Sequence, residues 1–313
     1  MYSPSPKVMD LLLDAICVVD AEGRFVYISA ACERILGYSP AELIGRPMME
    51  LIHPDDLEAT LRTAQDVMRG RQKNHFENRY IRKDGQIAHI MWSASWSEEE
   101  QLRVAVAHDI SQRKHADAMQ AGVYAISVAA NRSEELTELF AEIHRIIAGL
   151  LPIGLFSLAL RSDQEDNLNI PYFADLEHPQ APEVGEQTKA LSRAIIERGQ
   201  PILLTTETLD EEQLELLPLA NRGAMNWLGV PLISPQGTFG ALVIHGHSSS
   251  PRYTVKDREL LHFVSSQIAA AIQRLQLQSR LKHLSHHDQL TGLPNRTLLY
   301  DRLERSLARA RRE

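Results

Sequence analysis

From Lys256 to Leu284, apolar positions recur every three or four residues. Leu261, Val264, Ile268, Ala271 and Leu275 form one stripe, and Leu277, Leu281 and Leu284 carry it on in a shifted phase. The spacing predicts one long helix, and the skipped register predicts a local change in winding. Thr254 and Asp257 have the spacing of a capping box at its start. The first half of the stripe suits a core helix of the preceding domain. Beyond Leu275 little sequence remains to pack against it, so a coiled coil with a second copy of the chain is expected there.

The first 112 residues alternate with the shorter period of strands. A short helix from Leu11 is expected to enter a strand ending at Asp20, with a turn at Asp20–Gly23 and a second strand at Arg24–Ser29. Ser39-Pro40-Ala-Glu42 has the cap, first-turn proline and third-position acid of a helix start. Pro54 opens another helix, with Leu57, Leu61, Ala64 and Met68 expected on its buried face and Gly70 after its end. In the strands that follow, Phe76, Asn78 and Tyr80 share a face. Ala88, Ile90, Trp92, Ala94 and Trp96 lie opposite His89, Ser93 and Ser95. Lys83-Asp84-Gly85 between them predicts a hairpin turn, because both turn positions tolerate positive φ. In the last strand Leu102, Val104 and Val106 are expected to point inward.

Ala116, Met119, Val123, Ile126 and Ala130 return to helical spacing, predicting a connector that pairs across a dimer. Next come a helix carrying Leu136, Phe140, Ile143, Ile147 and Leu150, an apolar strand at Leu155–Leu160, and a weak strand at Ile170–Ala174. A helix at Gln187–Arg198 closes on Gly199, and strands follow at Ile202–Thr205, Trp227–Ile233 and Gly240–Ile244.

Composition narrows the class. The 313 residues are 44% apolar and 24% charged, as in folded globular protein, and the length suits two or three domains. The net charge of −8 is unevenly spread: from Ser279 onward eight Lys/Arg face four Asp/Glu, so the rest is strongly acidic. That balance opposes nucleic-acid binding, and the arginines of the tail fall on the polar side of an amphipathic helix. Two cysteines, Cys17 and Cys32, make neither a disulfide framework nor a metal-type spacing, which fits a reduced cytoplasmic compartment. The longest apolar run, Ile146–Phe156, is broken by Gly and Pro and is too short to span a bilayer. The N-terminus lacks the design of a signal peptide.

Strand–strand–helices–three strands, with Gly37-Tyr38-Ser39-Pro40-Ala-Glu42-Leu-Ile-Gly45, His53-Pro-Asp-Asp56 and a closing Asp109-Ile-Ser111, resembles a PAS domain. A small-molecule pocket is expected among Ile28, Leu36, Phe76, Tyr80, Ile90 and Trp92. Haem is not expected, because the helix from Asp55 to Gly70 carries no histidine and His53 suits a turn beside Pro54. The cysteine motif of photoreactive flavin versions is missing, and Cys32 suits a small buried apolar role.

The segment Glu134–Arg274, with Trp227-Leu-Gly-Val-Pro-Leu-Ile233, Gly240-Ala-Leu-Val-Ile244, Tyr253-Thr-x-x-Asp257 and Gln267-Ile-Ala-Ala-Ala-Ile-Gln-Arg274, resembles a GAF domain. It departs from the cyclic-nucleotide signature of that family: Asn-Lys is missing, Tyr253 stands for Phe, and Arg258 follows Asp257. It holds no cysteine, so a covalent bilin is not expected. His245-Gly-His247 shows no third ligand, and polar residues at a strand exit account for it better than zinc does.

Asp288-Gln-Leu-Thr-Gly-Leu-Pro-Asn-Arg296 resembles the opening D-x-L-T-G-L-x-N-R of the GGDEF family of diguanylate cyclases, carried here by Asp288, Thr291, Gly292, Asn295 and Arg296. Leu299, Leu303, Leu307 and Ala310 follow at helical spacing. The metal- and guanine-binding residues of that family do not occur before Glu313, so this stretch of chain is not expected to be an enzyme. What the resemblance implies is a regulatory region ahead of a cyclic-di-GMP-making domain. An alternative is the front of a GGDEF–EAL phosphodiesterase whose GGDEF domain senses GTP. A scaffold in a histidine-kinase-like assembly fits the motif less well. No glycine-rich phosphate loop or nucleophile elbow is present.

The expected architecture is α+β: PAS at 1–112, helical connector at 113–132, GAF at 133–276, coiled-coil linker at 277–287 and the start of a GGDEF domain at 288–313. The expected partners are a second copy of the chain and an unidentified small ligand, with no nucleic acid and no membrane span. Leu261, Val264, Ile268, Leu275, Leu281 and Leu284 are the expected coupling and dimer positions.

Overall fold

A computed structural model of the protein describes residues 12–71, 73–162, 168–175, 184–205, 226–246, 251–286, 293, 295 and 299–300. The chain divides into two compact units between Asp117 and Ala118.

The first unit is a five-stranded antiparallel sheet in the order β2-β1-β5-β4-β3, formed by β1 (Ala15–Val19), β2 (Phe25–Ile28), β3 (Lys73–Ile81), β4 (Ile87–Ser97) and β5 (Leu102–Asp109). Between β2 and β3 run α1 (Ala31–Leu36), α2 (Pro40–Leu43) and α3 (Leu57–Met68), with 3-10 turns at Met48–Leu51 and Pro54–Asp56. Ser39 and Glu42 cap α2 as their spacing predicts: the Glu42 carboxylate accepts from the Ser39 N–H at 2.9 Å and from its hydroxyl at 3.0 Å. Gly37 takes φ +79 at the end of α1, where its N–H donates to the Glu33 carbonyl and ends the helix.

Expectations fail in this unit on α3 and on β5, each for a physical reason. On α3 the buried residues are Thr60 and Val67, whereas Leu61 is 48% exposed. Thr60 tolerates burial because its hydroxyl donates to the Asp56 carbonyl at 2.7 Å. The hairpin expected at Lys83–Gly85 joins β3 to β4, with Gly85 at φ +81 and Asp84 accepting from the Gln86 N–H at 2.9 Å. On β5 the phase is inverted: Arg103, Ala105 and Ala107 are buried, and Val104 and Val106 lie on the outer face. The register Val18↔Val104 and Ile16↔Val106 sets those valines beside apolar residues of β1 on that outer face, where β-branched side chains pack well.

The second unit is another five-stranded antiparallel sheet, in the order β7-β6-β10-β9-β8. Its strands are β6 (Leu155–Arg161), β7 (Leu168–Asp175), β8 (Ile202–Thr205), β9 (Asn226–Ser234) and β10 (Gly237–His245). Against one face pack the end of α4 (Ser111–Arg132), α5 (Leu136–Ala148) and α7 (Val255–His286), and against the other packs α6 (Glu186–Arg198). Leu228, Val230, Leu242 and Ile244 face the first group, and Trp227, Ala241 and Val243 face α6. Coverage of both faces explains why β9 is a near-continuous apolar run and not an alternating one.

The C-terminal half of the connector stripe is used within this unit. Ile126, Ala129 and Ala130 are buried in the same core as α5 and α7, and Ala116 is exposed. A Cβ at Gly122 would stand 3.0 Å from Leu150 and 3.2 Å from Val264, so the helices approach closely there.

Candidate ligand-binding site

Above the inner face of the first sheet, under α3, lies a cavity of about 50 Å³. Thr60, Thr63, Ala64 and Val67 of α3 form one wall, with Met48 at its edge. The floor comes from Cys17 and Val19 of β1, Phe25 of β2, Phe76, Asn78 and Tyr80 of β3, Trp92 and Ala94 of β4, and Arg103 and Ala105 of β5. Inward alternation on these strands brings the set together. Of the six residues expected from sequence, Phe76, Tyr80 and Trp92 line this cavity. Ile28, Leu36 and Ile90 are buried in the surrounding core, not in the lining.

The polar groups of the wall are joined in a chain. The Trp92 indole N–H donates to Asn78 Oδ1 at 2.8 Å, Asn78 Nδ2 donates to Thr60 Oγ1 at 3.0 Å, and the Thr60 hydroxyl donates to the Asp56 carbonyl at 2.7 Å. Tyr80 and Trp92 pack with ring centroids 5.4 Å apart. Burial pushes the Cys17 thiol up to about 12 and raises the Tyr80 phenol as well, so both stay protonated at neutral pH. Asp56, just outside, receives the Arg79 guanidinium through both oxygens, at 2.7 and 3.0 Å. His53 accepts from the Asp55 N–H at 3.3 Å and caps the 3-10 turn, the role its place beside Pro54 predicts.

Sequence reasoning missed Arg103 because it put the neighbouring valines inward. Arg103 is 6% exposed, and its Nη2 lies 2.9 Å from Met48 Sδ. Burial depresses its pKa. A guanidinium nevertheless remains charged under any ordinary condition. The cavity therefore combines an apolar, aromatic lining with one fixed positive charge.

In the second unit, Leu261, Val264, Ile268 and Leu275 lie in the core, while Leu277, Leu281 and Leu284 are 60%, 58% and 44% exposed. α7 thus leaves its own domain after Leu275. Its start is held as the sequence predicts: Asp257 Oδ2 accepts from the Thr254 N–H and hydroxyl at 2.7 and 2.8 Å. Asn226, unnoticed in the sequence, anchors the approach to it, accepting from the Tyr253 N–H at 2.7 Å and donating to the Pro251 carbonyl at 3.1 Å. At the other end the Asn295 side chain donates to the Ser285 carbonyl at 2.6 Å and its N–H to the His286 carbonyl at 2.8 Å. These bonds satisfy carbonyls that a helix end leaves free. Asp288, Thr291, Gly292 and Arg296 lie outside the described residues, as does His247. His245 packs against Trp227 at 4.5 Å, and no group of three potential metal ligands occurs among the described residues. No helix among them is long and apolar enough to cross a membrane.

Comparison with known proteins agrees with both folds. Residues 25–106 match a family model described as the PAS fold, and residues 129–273 match one described as the GAF domain. The White collar 2 protein of Neurospora crassa is 36% identical over 80 residues, which cover 25% of this chain and 15% of that protein. The blue light receptor lreA of Aspergillus flavus is 37% identical over 49 residues, 16% of this chain and 6% of that one. The match thus spans only a small part of either relative. Among solved structures, the PAS domain of a Colwellia psychrerythraea protein is 28% identical, with 34% of this chain and 93% of that one covered and a TM-score of 0.31. The chromophore-binding domain of a Stigmatella aurantiaca phytochrome is 16% identical, with 82% and 93% covered and a TM-score of 0.38. The chain carries a PAS domain followed by a GAF domain, and is a PAS–GAF sensory module.

Proposed function

We propose that this module regulates a cyclic-di-GMP-forming GGDEF domain, with α7 as the connecting element. The observation that carries the reading is the continuity of that helix. It is fixed in the GAF core through Leu275, extends to His286, and is capped there by Asn295, a residue of the stretch that resembles the GGDEF opening. A change in the GAF core therefore reaches the motif through one helix and two hydrogen bonds. A cyclase of this family joins two GTP molecules held by two facing domains. The angle and pairing of two such helices then control the encounter. A coupling of about 1–3 kcal/mol changes the active population about 5- to 150-fold.

The chain up to Glu313 is itself a binding and relay unit without turnover. Incubated with GTP and Mg²⁺, it leaves GTP intact, whereas the protein extended through the sequence following Glu313 converts GTP to cyclic-di-GMP. An extended protein that consumes cyclic-di-GMP and makes none would overturn the cyclase reading in favour of a phosphodiesterase.

A further inference from the structure

Arg103 is the second residue of β5, opposite Val19 on one neighbouring strand and Trp96 on the other, with its side chain lining the cavity under α3. It is more than nine-tenths buried. Among the described residues no carboxylate pairs with it, and its one hydrogen-bond-range contact is the Met48 thioether. A thioether sulfur is a weak acceptor and carries no charge. The other buried polar groups of the wall are already engaged with one another through Asn78, Thr60 and Trp92. A guanidinium withdrawn from water without an anion is strongly unfavourable, and native proteins keep one where a partner completes it.

We propose that the partner is the carboxylate of a small ligand with an apolar body, seated with its charged end on Arg103 and its chain against Tyr80, Trp92 and Phe76. One positive charge in an otherwise apolar lining selects one negative charge. The planar fork of a guanidinium matches the two oxygens of a carboxylate. The small cavity and its aromatic wall exclude a strongly hydrated, multiply charged anion. This deepens the sensory reading of the PAS domain, and depends on nothing about a following cyclase.

The test is direct binding to the present chain, followed by calorimetry and by tryptophan emission, which Trp92 reports from the cavity wall. The probes are butanoate, hexanoate and octanoate, with hexanamide and 1-hexanol as neutral counterparts and inorganic phosphate as a non-carboxylate anion. The expected result is that hexanoate binds at least tenfold more tightly than hexanamide, and that phosphate at equal concentration does not displace it. In Arg103→Met the preference for hexanoate over hexanamide falls to less than twofold, while the ligand-free protein melts no lower than wild type because an unpaired buried charge has gone. Equal binding of acid and amide by the wild type, displacement by phosphate, or an undiminished acid preference in Arg103→Met would each overturn the assignment. If Arg103→Met does not fold, the acid-to-amide ratio of the wild type decides alone. Failure here leaves GTP chemistry in the extended protein untouched, and absence of that chemistry leaves this ratio untouched, so the two readings fail separately.

Discussion

Trp92 donates its indole N–H to Asn78 Oδ1 at 2.8 Å, on the adjacent strand of the PAS sheet, and Asn78 in turn donates to Thr60 of α3 at 3.0 Å. One amide therefore ties the helix that roofs the cavity to the strands that floor it. Asn78→Leu keeps the approximate size but strands the indole donor. The expected cost is about 1–3 kcal/mol, the penalty for an unsatisfied buried donor. Urea unfolding followed by tryptophan emission measures it, and a midpoint equal to wild type would show that the amide does not hold the roof.

In the GAF sheet, Gly229 of β9 sits under α6, and a Cβ there would collide with Cδ1 of Ile195 and stand 3.3 Å from Val243. Gly229→Ala is expected to destabilise by about 1–3 kcal/mol through overpacking. Ile195→Val removes the colliding methyl, so the double variant should recover part of the loss. Gly240→Ala has no such remedy, because its Cβ would lie 2.6 Å from the Ala159 carbonyl oxygen, which is backbone. Thermal melts of the four variants test this. A double variant no more stable than Gly229→Ala alone would place the clash elsewhere.

The Asp56–Arg79 fork gives the PAS domain a definite acid response. The hydrogen bonds from Arg79 hold the Asp56 carboxyl below its ordinary value of 3.8. A group whose folded pKa is depressed contributes stability above its unfolded pKa and loses it as pH falls through the folded one. Asp56→Asn should therefore cost about 1.5–3 kcal/mol near neutrality, the range for hydrogen bonds to a charged group. The gap from wild type should narrow as pH drops below about 4. Denaturant midpoints across pH 3–7 read it, and a gap that stays constant with pH would refute the ionic role.

Both sheets, the order of their strands along the chain, and the caps at Ser39 and Thr254 were legible in the sequence, because each follows from local chemistry. Phase on β5 was not. Val104 and Val106 are more apolar than Arg103, Ala105 and Ala107, so alternation alone sends them inward. The inner face must instead leave room beside Tyr80 and Trp92, and small residues do that. The same error hid Arg103, although an arginine within an otherwise apolar strand was the available signal. On α3, Thr60 displaced Leu61 from the buried face because a tertiary hydrogen bond from Asn78 and a local one to the Asp56 carbonyl made a hydroxyl the better core residue. Ile28, Leu36 and Ile90 belong to the right core, but a sequence does not show which core residues border a void.

The last expectation concerns the projecting end of α7. Leu275 was expected in a seam between two chains, but it is 4% exposed within its own domain and is unavailable to a partner. Leu277, Leu281 and Leu284 remain, exposed on a helix that has left its core. Leu277, Leu281 and Leu284 follow one another at intervals of four and three, the spacing of a coiled-coil face. Two parallel copies would bury these leucines against each other and set the separation of whatever follows Asn295. Leu281→Glu with Leu284→Glu places charges in that seam and should shift the chain from dimer toward monomer. Neither leucine contributes to the buried GAF core, so circular dichroism and the main thermal transition should stay within about 0.5 kcal/mol of wild type, as for surface substitutions. Sedimentation equilibrium over a concentration series distinguishes the cases. A wild-type chain that is monomeric at tens of micromolar would remove the seam, and a double variant that remains dimeric would move the interface to another surface.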